Sequence, residues 1–253
     1  MAESEPIDAL VEKTLADISA LPEKEMRLET LGRRVARLEP DEAARFFDIL
    51  CKKGRTEKTA PLAKSLLVDP DGLRRVLGDE RYKCVYLASL KLGLYRVSRL
   101  FTDLPPKIKG IEGYHEEEEA EMEFVTLGER RSMSKGFVLD KLDRLLSDPD
   151  PVVIRNILDN PRITEREALK IASKRPNSPR ILKLMACHRK WAKRYGVIKA
   201  IVLNPYSPPR ISIALLDGLL TQDLRLVAGE RTIHQQVTAA AEELLKERAG
   251  NGR

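Results

Sequence analysis

Apolar residues recur along this chain at steps of three and four, the spacing that puts side chains on one face of an α-helix. Ile7, Leu10, Val11 and Leu15 form a first set, Leu28, Leu31, Val35 and Leu38 a second, and Ala44, Phe47, Ile49 and Leu50 a third. Each predicts an amphipathic helix of about four turns or fewer. Tyr82, Tyr86, Leu90, Val97 and Phe101 continue the pattern and predict a longer helix bent at Gly93. Trp191, Tyr195, Ile198 and Val202 form another stripe, as do Ile211, Leu215, Gly218 and Leu219.

Prolines punctuate these stripes. Pro161, Pro176 and Pro205 lack the amide that a continuing helix needs, so each predicts a helix end. Recognisable starts follow. Thr164 with Glu167 spells a capping box, and Asp150, Ser178 and Ser207 each precede a proline suited to the first helical turn. Glu39, Pro40 and Asp41 mark one junction in the first half, and Asp69, Pro70, Asp71 and Gly72 another.

The punctuation repeats. VIRNILDNP at 153–161 and VIKAIVLNP at 197–205 share Val, Ile, Ile, Asn and Pro at matching positions, 44 residues apart. Shorter echoes begin at Asn160, Arg175, Asn204 and Glu230, each a stop, a turn and a new start. A period near 44 is that of HEAT-type helical repeats, whose short helices bury their stripes by stacking on neighbours.

The stretch from Thr126 to Leu245, with TLGERRSMSKG, LLSDPDPVVIRNILDNPRITE, SKRPNSP, RKWAKRYGVIKAIVLNPYSPP and QDLRLVAGERTI, resembles a group of bacterial HEAT-like proteins common in delta-proteobacteria. DPDPVVIRNILDNP is also similar to leucine-rich-variant repeats. The resemblance implies an all-α fold with an α-solenoid, and it implies no catalytic residues. The Gly229 to His234 copy departs furthest, as a capping repeat would. The expected organisation is an N-terminal helical region at 1–104, an acidic linker at 105–125 containing Glu116 to Glu119, and a C-terminal repeat array at 126–253.

Composition agrees with helix: the 253 residues are 42% apolar but only 5% aromatic. The acidic start, MAESEPIDAL, has no apolar stretch, and no apolar run approaches a membrane span. Cys51, Cys84 and Cys187 stand apart, which predicts a reducing compartment and a cytoplasmic location. Charge divides unevenly. Residues 1–126 carry 21 basic and 25 acidic side chains, residues 127–253 carry 24 and 14.

Twelve of those cations lie between Arg162 and Lys199, against Glu165 and Glu167 alone. Arg162, Arg166, Lys170 and Lys174 recur every four residues, and Lys190 and Arg194 repeat the step, which predicts a basic helix face able to meet an anion. A solvated face is the plainer reading. Trp191, flanked by Arg189, Lys190, Lys193 and Arg194, reads as a core wedge, with a base-stacking platform as the alternative. Arg130 and Arg131 before Ser132 read as an ordinary helix start, or else as a phosphate or kinase-recognition site.

His115, His188 and His234 have no partner at ligand spacing except Cys187 beside His188, so neither metal nor cofactor is expected. Nucleotide-binding loops and hydrolase elbows are absent from the sequence. The sequence therefore reads as a non-enzymatic interaction scaffold that engages an acidic protein or peptide. Nucleic-acid binding, including HEAT-like DNA glycosylase chemistry, is the alternative.

Overall fold

In the computed structural model residues 6–53, 60–110, 125–136 and 144–250 are described. Fifteen α-helices account for the regular structure among them, with two 3₁₀ turns and no strand. Two compact units form, one from Met1–Asp103 with Ile213–Gly218, the other from Leu104–Ser212 with Leu219–Arg253. Glu116 to Glu119 of the expected linker lie outside the described residues.

The first unit holds α1 Ile7–Ser19, α2 Lys24–Val35, α3 Pro40–Lys53, α4 Ala60–Leu67, α5 Pro70–Leu77, α6 Asp79–Lys91 and α7 Tyr95–Leu100. The three stripes read in the first fifty residues become α1, α2 and α3, and Val11, Leu15, Leu28, Leu31, Val35, Phe47 and Leu50 are buried. Helix α1 packs on α2 and α3, α2 on α5, and α3 on α6 and α7. Gly32 makes the α2 approach to α5 feasible, because a Cβ there would stand 2.7 Å from Cβ of Val76. At the end of α2, the Arg81 guanidinium donates to the carbonyls of Val35 and Ala36, both at 2.9 Å, and to that of Leu38. They lie at and just beyond the helix end, where intrahelical donors run out, and the Val35 carbonyl also accepts from the Leu38 amide at 3.1 Å.

The long helix expected from Tyr82 to Phe101 is instead two. Gly93 adopts φ +68°, and the amides of Gly93 and Leu94 donate to Leu90 and Ser89, at 3.1 and 2.8 Å. That paired closure needs a left-handed residue and ends α6, so glycine terminates the helix where a bend was expected. Phe101 still reaches the core, its ring 4.7 Å from Phe47 and 4.8 Å from Tyr82.

The second unit contains α8 Leu127–Met133, α9 Pro151–Asp159, α10 Glu165–Ser173, α11 Pro179–Cys187, the 3₁₀ turn Trp191–Lys193, α12 Tyr195–Val202, α14 Thr221–Gly229 and α15 Gln235–Gly250. Helix α13, Pro209–Leu215, lies between α12 and α14 in sequence and runs into the second 3₁₀ turn, Leu216–Gly218. Starts fall where the caps were read. Asp150 accepts from the amides of Val152 and Val153, both at 3.0 Å, Thr164 with Glu167 completes a capping box, and Ser178 precedes α11 without a side-chain cap bond; a further box, Thr126 with Glu129, opens α8 where no cap is read from the sequence. Ser207 behaves differently: its hydroxyl donates back to the Ile201 carbonyl at 2.6 Å, and the next helix begins at Pro209. Leu104 to Gly110 is irregular, with the Ile108 amide donating to the Pro205 carbonyl at 3.3 Å.

Helix α9 packs on α11 and α10 on α12, each meeting the helix two places along. The turns closing α9 and α12 use the same three bonds. Asn160 N–H donates to Ile157, its side-chain oxygen accepts from Arg162 N–H, and its carbonyl accepts from Ile163 N–H. Asn204 does the same with Ile201, Tyr206 and Ser207. Both asparagines are buried, and their amide groups reach back to earlier carbonyls. Asn160 donates to Gly136 at 2.9 Å, and Asn204 to Ala172 at 2.8 Å and Lys174 at 3.1 Å.

Asn204→Ala removes all of these side-chain bonds and leaves buried carbonyls and an amide without partners. A stability loss of about 2–4 kcal/mol is expected in urea unfolding, at about 1–3 kcal/mol per orphaned buried group. A loss below about 0.5 kcal/mol, the size of a surface change, would remove Asn204 from its role in the turn.

Candidate anion-binding site

Between the end of α11 and the start of α12 the chain makes a tight basic turn. Its anchor is Trp191, 1% exposed, whose indole N–H donates to the Leu158 carbonyl at the end of α9 at 2.9 Å. A ring so buried offers no face to a base, so Trp191 is the core wedge of the two readings. Its stripe is not one helix, however. Trp191 sits in the 3₁₀ turn, Arg194 is extended, and Tyr195 opens α12 half-buried.

His188 fastens the turn from its other side. Its Nδ1 accepts from the amides of Lys190 and Trp191, at 3.2 and 3.4 Å, while Nε2 lies 3.2 Å from Asp159. The geometry fits a neutral ring with its proton on Nε2, donated to the carboxylate. Burial, with smaller contributions from Lys190 and Arg189, depresses the histidine pKa, and Asp159 opposes them. Both ring nitrogens are thus engaged within the chain.

With the backbone held from beneath, the charged side chains face outward. Arg189, Lys190, Lys193 and Arg194 line an open hollow of about 450 Å³, with no acidic residue among the described residues of its lining. Lys190 is oriented by its Nζ, 3.0 Å from the Ile163 carbonyl and 4.1 Å from the centre of the Trp191 ring. Arg194 meets Glu165 at 3.9 Å, a pair more than two-fifths exposed on both sides and therefore weak.

Of the six cations expected on one helix face, only Lys190 and Arg194 line the hollow. Arg162 precedes α10, Arg166 and Lys170 are exposed on it, and Lys174 ends it, donating to the Ser147 carbonyl at 2.7 Å. Arg166 and Lys170, four residues apart, are both exposed on α10, while Arg162 precedes the Thr164 cap and Lys190 and Arg194 belong to the later turn. Arg189 and Lys193 were missed as members of the site. Their signal was RKWAKR itself, four cations around a tryptophan in a segment too short for a helix of its own.

Several other cations of the second unit have partners within it. Lys199 Nζ lies 2.9 Å from Asp223, which also accepts from the Tyr195 hydroxyl. Arg175 donates to the Leu203 carbonyl at 2.7 Å. Arg130 and Arg131, the suspected phosphate or kinase site, pair with Asp148 and Asp150, both at 2.9 Å.

The described residues are all-helical, and the hollow brings four cations together on one turn. Comparison with protein-family models, with curated proteins and with solved structures returns no match. No helix among the described residues is long and apolar enough to cross a membrane.

Trp191→Ala should cost about 3–5 kcal/mol in urea unfolding, the usual effect of truncating a large buried aromatic. An unchanged midpoint would contradict its anchoring role. His188 makes a pH-dependent prediction. Its folded pKa lies below the ordinary 6.5, so the unfolded chain binds the extra proton first as pH falls. Its contribution to stability is full above 6.5 and is lost as pH drops through the depressed folded value. His188→Asn keeps an acceptor of the kind that Asn160 and Asn204 supply and removes the titration. Unfolding midpoints at pH 7.5 and 5.5 should fall less in the variant than in the parent chain, and equal falls would clear His188.

Proposed function

We propose that this chain is a non-enzymatic interaction protein whose second unit is an α-solenoid of HEAT-like or leucine-rich-variant-like repeats of bacterial type. Its basic hollow receives an acidic protein or peptide segment. The repeat reading is supported by the matched turns at Asn160 and Asn204, 44 residues apart, and by the packing of α9 on α11 and of α10 on α12. Short helices joined by closed turns leave side chains at the turns free to differ, so binding chemistry can change without changing the core.

The observation that carries the function is the hollow lined, among the described residues, by Arg189, Lys190, Lys193 and Arg194. Like charges held together repel, and a protein gains nothing in its own stability by gathering them. An anionic ligand would remove that repulsion and gain the attraction of all four at once. Nucleic acid is less well served: Trp191 is buried, and Lys174, Lys199 and Arg175 are committed to other groups, which breaks the strip that a duplex backbone would follow.

Fluorescence anisotropy with a labelled glutamate-rich peptide, at low and physiological salt, tests this. The triple change Arg189→Gln, Lys193→Gln and Arg194→Gln should weaken binding by about 1–3 kcal/mol, from about 0.2–1 kcal/mol for each exposed charge contact. Its melting temperature should stay near that of the parent chain. Unchanged peptide affinity would overturn the proposal, as would tighter binding of duplex DNA than of the peptide at the same salt.

A further inference from the structure

One short turn of the second unit is dense in positive charge. Four cations fall within the six residues Arg189 to Arg194 and share one hollow, while Lys174, Arg175 and Lys199 turn to Ser147, Leu203 and Asp223. A glutamate run presents its charges along a line, at about 3.3–3.6 Å per extended residue. Only part of such a line can occupy a single hollow. A phosphomonoester puts nearly two charges and three acceptor oxygens on one phosphorus.

The donors suit that geometry. Two are guanidiniums, whose forked N–H groups match the oxygens of a phosphate in pairs, and two are ammoniums, which act as point charges. Their backbone is held before any ligand arrives. Trp191 bonds to Leu158, His188 receives the amides of Lys190 and Trp191, and Lys190 reaches the Ile163 carbonyl. Fixing the turn in advance lowers the entropic cost of binding. Glu165, 3.9 Å from Arg194 in a pair more than two-fifths exposed on both sides, can be displaced at small cost.

We infer that the hollow is a phosphomonoester site for a phosphorylated side chain of a partner protein, with Arg189 and Arg194 as forked donors and Lys190 and Lys193 as charge partners. This rests on the acidic-partner reading and sharpens it to one chemical group. Carboxylate runs then bind weakly as partial substitutes.

The full chain is titrated with three peptides of one acidic sequence, carrying serine, glutamate or phosphoserine at the central position. The phosphoserine peptide should bind about tenfold more tightly than the glutamate peptide. A charge-conserving double change, Arg189→Lys with Arg194→Lys, should cost the phosphopeptide about tenfold and the glutamate peptide less than about twofold, because lysine keeps the charge and loses the fork. Far-ultraviolet circular dichroism and the melting temperature confirm that the variant folds. Equal affinity for the phosphoserine and glutamate peptides overturns the phosphate assignment while leaving the acidic-partner reading intact. Binding of none of the peptides overturns both. Vesicles containing a phosphoinositide serve as a third arm, and tighter binding there than to the phosphopeptide overturns the assignment to a phosphorylated protein.

Discussion

The bond from the Trp191 indole to the Leu158 carbonyl holds the second unit's charged turn to its core. The carbonyl belongs to the last turn of α9, where the helix has no partner of its own for it. A buried indole N–H is equally costly to leave unpaired. Each group satisfies the other, and the ring is fixed where the chain must pass from α11 to α12 within a few residues. Everything above that ring is then oriented outward, including the four cations. The hollow is a consequence of an apolar anchor more than of any attraction among charges.

The same economy recurs at other turns. Asn160, His188, Asn204 and Glu230 each follow a helix, and each offers a side-chain acceptor to the amide two residues on, at 3.0, 3.2, 3.1 and 2.9 Å. Proline follows the two asparagines and blocks helix continuation, so the acceptor and the proline act together. At His188 the acceptor is titratable and sits beside Lys190, one of the site cations. The Glu230 turn also closes on a titratable acceptor, but the His188 turn is the one of the four that carries the hollow.

Much of the all-α fold is legible in the chain, and the reasons are local. Asp150 before Pro151, Thr164 with Glu167, and the stripes of α1 to α3 act within a turn or two of helix, so spacing alone reveals them. What spacing missed depends on distant partners. Nothing near Asn204 in sequence announces that its amide meets carbonyls about thirty residues earlier. Gly93 shows the limit at short range too: a bend and a left-handed stop look alike in sequence, and only φ +68° separates them. The basic site was half legible. Lys190 and Arg194 were picked out through an assumed helix face that the 3₁₀ turn does not provide, while Arg189 and Lys193 fell off that assumed face.

Counting charge along a sequence overstates what a partner meets. The second half has a surplus of ten cations, yet Arg130, Arg131 and Lys199 face carboxylates, and Lys174 and Arg175 face helix-end carbonyls. Those pairings serve the fold, since a cation near a helix C-terminus offsets its partial negative charge. Of the four cations of the basic turn, Lys190 reaches the Ile163 carbonyl, and Arg194 meets Glu165 only in a weak pair at 3.9 Å. Their field is directed to solvent, where it acts over about a Debye length, roughly 8 Å at physiological salt. A ligand must therefore bring its charge close to the turn to gain from it, which favours compact multivalent anions over extended ones.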